Sequence, residues 1–104
     1  MIRTETRTTI AENIELVIKT SKFEEDRKES KLVSIERKDS NFTLYCNEDT
    51  HVPTMFEHNE VGDDWGGGIW IKGKKVTDYD GVSELPRGVL KTLRALGYDV
   101  SEVD

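Results

Sequence analysis

Between Cys46 and Gly68 the chain gathers the residue types best able to do chemistry. Cys46, His51 and His58 stand among Glu48, Asp49, Glu57, Glu60, Asp63 and Asp64, with no Lys or Arg in the stretch. One reading is metal-dependent hydrolysis at His51 and His58. Cys46 and the two imidazoles are soft to borderline ligands, and Glu57, Asp63 and Asp64 add oxygen donors. The spacing C-x4-H-x6-H lacks the closely spaced ligand pair that structural zinc sites use. A hard cation would instead draw on Asp63, Asp64, Asp78 and Asp80, but no EF-hand loop is present. The sequence therefore assigns no metal ligand and implies no cofactor.

Covalent chemistry has less to draw on. Cys46 with His51 or His58 would make a nucleophile and base, oriented by Glu57 or Asp63. There is no nucleophile elbow, Walker loop or zincin pattern. Gly66-Gly67-Gly68 runs into Ile69-Trp70-Ile71, which reads as a strand, whereas a phosphate-cradling loop leads into a helix. The glycines read instead as backbone freedom at a strand entrance. No catalytic residue is assigned, and the balance is against an enzyme.

Nucleic acid has a foothold in Trp70, Lys72, Lys74, Lys75 and Tyr79, which combine cations with stacking surfaces. The net charge of −6 works against it, because phosphate affinity comes from counterion release and long-range attraction. Lysines at a hairpin tip more often keep an edge strand solvated.

The remaining reading is a protein-interaction or accessory module. Large rings and an acidic rim are the makings of an interface that selects a basic partner. The binding surface expected from the sequence comprises Phe56, Glu57, His58, Asp63, Asp64, Trp65 and Trp70. In it Trp65 is the apolar anchor, and Asp63 and Asp64 are the charges that choose the partner. The expected partner is another protein with a basic surface.

These residues need elements to hold them. Leu85, Val89, Leu90, Leu93 and Leu96 follow a helical period with Arg87, Lys91 and Arg94 on the other side. Pro86 in the first turn and Gly97 at the end bound a helix over about 85–96, and Tyr98 and Val100 fold back over it. Two hairpins precede it. Leu32–Lys38 and Phe42–Asn47 flank a turn at Asp39-Ser40-Asn41. Ile69–Lys72 and Lys75–Tyr79 flank Gly73-Lys74, a register that pairs Ile71 with Val76 and Trp70 with Thr77. Near the N-terminus, Ile10, Ile14, Val17 and Ile18 would line a helix. The alternation of Thr4, Thr6, Thr8 and Ile10 and of Ile14, Leu16 and Ile18 favours two strands turning at Ala11-Glu12-Asn13. Residues 24–31 read as a solvated connection, and residues 46–68 as a long loop.

The expected fold is α+β: a mainly antiparallel sheet of two or three hairpins with the C-terminal helix on one face. At 104 residues the chain suits a single domain over 1–104, and with 35% hydrophobic residues its core is thin. No apolar run reaches membrane-spanning length, which excludes a helical membrane span. The lone Cys46 suits a reducing cytoplasm. An uncovered edge strand would leave room for a second copy, so a homodimer is compatible with this reading.

Overall fold

The structure, a computed structural model, describes residues 1–23 and 28–104. Seven strands form one antiparallel sheet in sequence order: β1 (Ile2–Ala11), β2 (Ile14–Lys22), β3 (Glu29–Arg37), β4 (Phe42–Cys46), β5 (Pro53–His58), β6 (Gly66–Lys72) and β7 (Lys75–Tyr79). Among the described residues a single helix, α1 (Arg87–Ala95), follows. The class is α+β as expected, with more strands than two or three hairpins supply.

The threonine-rich N-terminus forms strands because β-branched residues lose little on a pleated surface. Asn13, with φ 63°, makes the turn where the alternation placed it. The charged run Glu29-Ser30-Lys31 is strand, not connection, and pairs with Lys22, Ser21 and Thr20. Both sides of that pairing are polar and solvated, so hydrophobicity gave no sign of it. Residues 24–27 of the expected connection lie outside the described residues.

The largest departure is β5, a central strand inside the stretch read as a loop. It pairs with β4 through Leu44↔Phe56 and Phe42↔His58, and with β6 through Phe56↔Gly67. Phe56 and His58 are its inward residues, so a histidine in an apolar position concealed the period of two. At the last hairpin Ile71 pairs with Val76 as expected and Gly73 takes φ 63°. A register shift between Trp70 and Ile71 sets Trp70 opposite Asp78, not Thr77.

One face of the sheet carries the core. Ile14, Ile35, Leu44, Phe56, Ile69 and Val76 meet Leu85, Val89, Leu90 and Leu93 of the helical segment, and Val100 closes the cluster. The helix is shorter than expected because Pro86 caps it: its carbonyl accepts from the N–H groups of Val89 and Leu90. At the other end Gly97 is left-handed at φ 91°. Its N–H donates to Arg94 and that of Tyr98 to Leu93, a Schellman closure that turns the tail back over the core.

Among the described residues no helix covers the opposite face. There Arg7 of β1 and Glu36 of β3 form an ion pair at 2.7 Å across β2, on the side where Val17 is fully buried. The distal part of β1–β3 extends as an arm, in a molecule measuring 47 × 34 × 26 Å. No described helix is long and apolar enough to cross a membrane.

Candidate functional site

The seven residues expected to form one surface are divided by the pleat of β5 and β6. Phe56 faces the helix and is fully buried, so it supports a site from beneath and cannot touch a partner. His58 lies on the same face and is also buried. Trp65, in the connection before β6, folds over them. Its ring stacks on His58 at 4.9 Å and meets Phe42 and Phe56 edge-on at 5.6 and 6.4 Å. It remains 37% exposed, so one side of the indole is fixed by packing while the other reaches solvent. Trp70 points away from the helix and is 51% exposed.

His58 gathers carboxylates. Its Nε2 is 3.7 Å from Glu60, and its Nδ1 is 3.7 Å from the Asp63 carboxylate and 3.3 Å from the Asp63 carbonyl oxygen. A carbonyl only accepts, so the contact to the Asp63 carbonyl is a hydrogen bond when Nδ1 carries a proton. Among the described residues this is the one set of three His, Cys, Asp or Glu donors with ligating atoms within 4.8 Å of one another. The nearest carboxylates lie beside opposite nitrogens of the ring. That geometry suits a clamp on the imidazole better than three ligands converging on one ion.

His51 is no part of this group. It sits with φ 60° in the β4–β5 turn, where the Asn47 side chain accepts from the N–H groups of Asp49 and Thr50. Along β5 that is about 20 Å from His58, so no centre built on both histidines forms. Cys46 faces the core side of β4, and burial pushes its thiol up to about 12, the reverse of what an activated nucleophile needs. Of the hard-cation set, Asp78 lies opposite Trp70 and only Asp64 and Asp80 share a depression. The basic hairpin is partly engaged: Lys75 bridges Glu102 at 2.8 Å, and the Lys74 ammonium lies 5.2 Å from the Tyr98 ring centre.

What the structure does bring together is a cleft of about 550 Å³ over the start of β6, lined by Met55, Phe56, Glu57, Asp64, Trp65, Gly66, Gly67, Gly68 and Asp80. Its floor is bare backbone. A Cβ on Gly67 would lie 1.9 Å from the Asp80 carbonyl oxygen, and one on Gly66 would lie 2.2 Å from that of Phe56. Glycine is required there because strand β5 and the Asp80 segment approach too closely for any side chain.

The walls are apolar and acidic. Met55 and Trp65 supply the apolar surface, and Glu57, Asp64 and Asp80 the charge; no lining residue is basic. Asp80 is held by accepting the Gly68 N–H at 2.6 Å. Tyr45 neighbours Glu57, and its phenol is raised above its ordinary value by burial and then by this carboxylate. Trp70 folds back towards the far end, its ring atoms 3.2 Å from where a Gly68 Cβ would stand. Met55, Gly66–Gly68 and Asp80 were missing from the sequence-derived surface. The triple glycine was the available signal, once read as a floor and not only as backbone freedom at a strand entrance.

A second depression of about 550 Å³ lies on the arm, among residues of β1, β2 and β3 that include Arg3, Glu5, Lys19 and Lys31. Three of its four charged lining residues are basic, Arg3, Lys19 and Lys31 against Glu5, so it does not favour a basic partner. Comparison with models of known families, with curated proteins and with solved structures finds no match.

Proposed function

We propose that this chain is a non-catalytic protein-interaction module whose β5–β6 cleft receives an extended, basic segment of a partner protein. The observation that carries this reading is the lining of the cleft: a side-chain-free glycine floor, two apolar walls and three carboxylates without a counter-charge. The glycine floor lets β5 and the Asp80 segment pack close together beneath the cleft. Met55 and Trp65 offer the adaptable and rigid apolar contacts found at interface centres. Glu57, Asp64 and Asp80 favour Lys or Arg and repel acidic competitors. Asp63 serves the cleft indirectly, through His58 and the stacked face of Trp65. The high-lying Cys46 thiol and the separation of the two histidines favour binding over catalysis.

The test is calorimetric titration with a short peptide of alternating lysine and leucine. Binding is expected to weaken as salt rises through about 0.15 M, where screening acts over roughly 8 Å. Trp65→Ala is expected to cost about 2 kcal/mol of affinity. Asp64→Lys is expected to weaken the lysine peptide without weakening a glutamine-for-lysine control. Equal affinity for the two peptides, or no change in either variant, contradicts the proposal.

A further inference from the structure

The two edges of the sheet are treated differently. The outer side of β7 is met at its start by the C-terminal tail: Lys75 bridges Asp99 in parallel, the Val76 N–H donates to Asp99 at 2.9 Å, and the Asp99 N–H donates to Lys74 at 2.7 Å. Strand β1 is the other edge, and among the described residues nothing pairs along its outer side. It is ten residues long, contains no proline, and is exposed from Ile2 to Ile10. Its one irregularity, the register shift between Thr9 and Ala11, lies at its very end. An edge this long and open, bearing exposed isoleucines, is a template for another strand.

The residues along β1 choose which strand. We propose that β1 pairs antiparallel with β1 of a second copy of this chain, about a twofold axis at Thr6, joining the two sheets into one. In this register Ile2, 55% exposed, faces the partner's Ile10, and Ile10, 42% exposed, faces the partner's Ile2. Glu5 faces the partner's Arg7, and Arg7 faces the partner's Glu5. Thr4 meets the partner's Thr8, and Thr6 meets the partner's Thr6. Every cross-strand neighbour is thus apolar on apolar, opposite in charge, or threonine on threonine or arginine, the pairings that stabilise antiparallel ladders.

Neighbouring registers lack this agreement. A slip of two residues one way sets Glu5 against the partner's Glu5 and Arg3 against the partner's Arg7. A slip the other way sets Arg7 against the partner's Arg7, faces Ile10 with the partner's Thr4, and places Ile2 opposite the partner's Glu12, beyond the end of β1. Arg7 can serve both chains: its Nε and Nη1 are taken by Glu5 and Glu36 of its own chain, and its remaining N–H groups lie on an exposed side chain. The twofold places both helices on the same face of a sheet of fourteen strands, seven from each copy. Both β5–β6 clefts stay open, four strands from the junction.

Sedimentation equilibrium of the full chain over a range of concentrations tests this. The expected species has twice the 11.9 kDa of the chain. Glu5→Arg and Arg7→Glu, each alone, set like charges across the junction and are expected to weaken self-association by more than about tenfold. Mixing the two variants restores opposite charges at every position, and the mixture is expected to dimerise. If either variant fails to fold, oxidation of Thr6→Cys decides: it is expected to give a disulfide-linked dimer, while Thr8→Cys, whose neighbour is the partner's Thr4, does not. A monomer at all concentrations overturns the proposal. So do a dimer indifferent to the charge reversals, a mixture that stays monomeric, and Thr8→Cys cross-linking as readily as Thr6→Cys.

Discussion

Cys46 and Trp65 show how far a residue's surroundings decide what it can do. A cysteine near a histidine suggests a nucleophile, yet burial lifts the Cys46 thiol from 9.0 to about 12. A thiol needs its thiolate to react, so burial leaves the folded protein with less of the reactive form at neutral pH. Iodoacetamide followed by mass spectrometry is therefore expected to leave Cys46 unmodified in the folded chain and to label it in urea. Rapid labelling of the native protein would show that the environment activates the thiol. Trp65 is the converse case. Stacked on His58 and braced by Phe42 and Phe56, it loses little further freedom on binding, which is what an anchor at an interface centre requires.

At the scale of elements, the glycine run determines the geometry of the cleft. Gly67→Ala forces a Cβ to 1.9 Å from the Asp80 carbonyl oxygen, and β6 or the Asp80 segment must move. The expected cost is at least about 2 kcal/mol. Gly73→Ala meets open space and pays only for its φ of 63°, about 1 kcal/mol. Urea unfolding midpoints measure both, and equal losses would mean that the close approach is not what demands glycine.

The same elements show what the sequence made legible. Helix α1 and its Gly97 stop were readable because a 3.6-residue period and a left-handed cap are local properties. The hairpins around Asn13 and Gly73 were readable for the same reason. Strand β5 was not, because it is short and buries a histidine. The sharing of one cleft by Met55, Asp64 and Asp80 was not either. It arises from pairing between β5, β6 and the segment after β7, which one chain read in order does not reveal. The face on which Trp65 and Trp70 separate follows from strand register, and a loop assignment carries no register.

In the whole molecule the two proposed interaction surfaces lie apart. The helix-covered part, β4 to β7 with α1 and with Ile14 of β2 and Ile35 of β3, holds the core and the cleft, and the arm of β1 to β3 ends in an open edge. The net charge of −6 gives the whole surface a bias towards basic partners, and the cleft concentrates it in three carboxylates beside two apolar walls. A paired arrangement through β1 would present two such clefts at a fixed separation, so a partner with two basic segments gains from effective concentration.

The central claim is that the glycine-floored cleft is where a basic chain binds, and amide chemical-shift mapping addresses it most directly. On titration with the lysine–leucine peptide, the account predicts shifts at Met55, Asp64, Trp65, Gly66, Gly67, Gly68 and Asp80, with the amides of β1 and β2 unmoved. Shifts confined to the arm or to the Lys72–Lys75 hairpin, or spread evenly over the acidic surface, would contradict it.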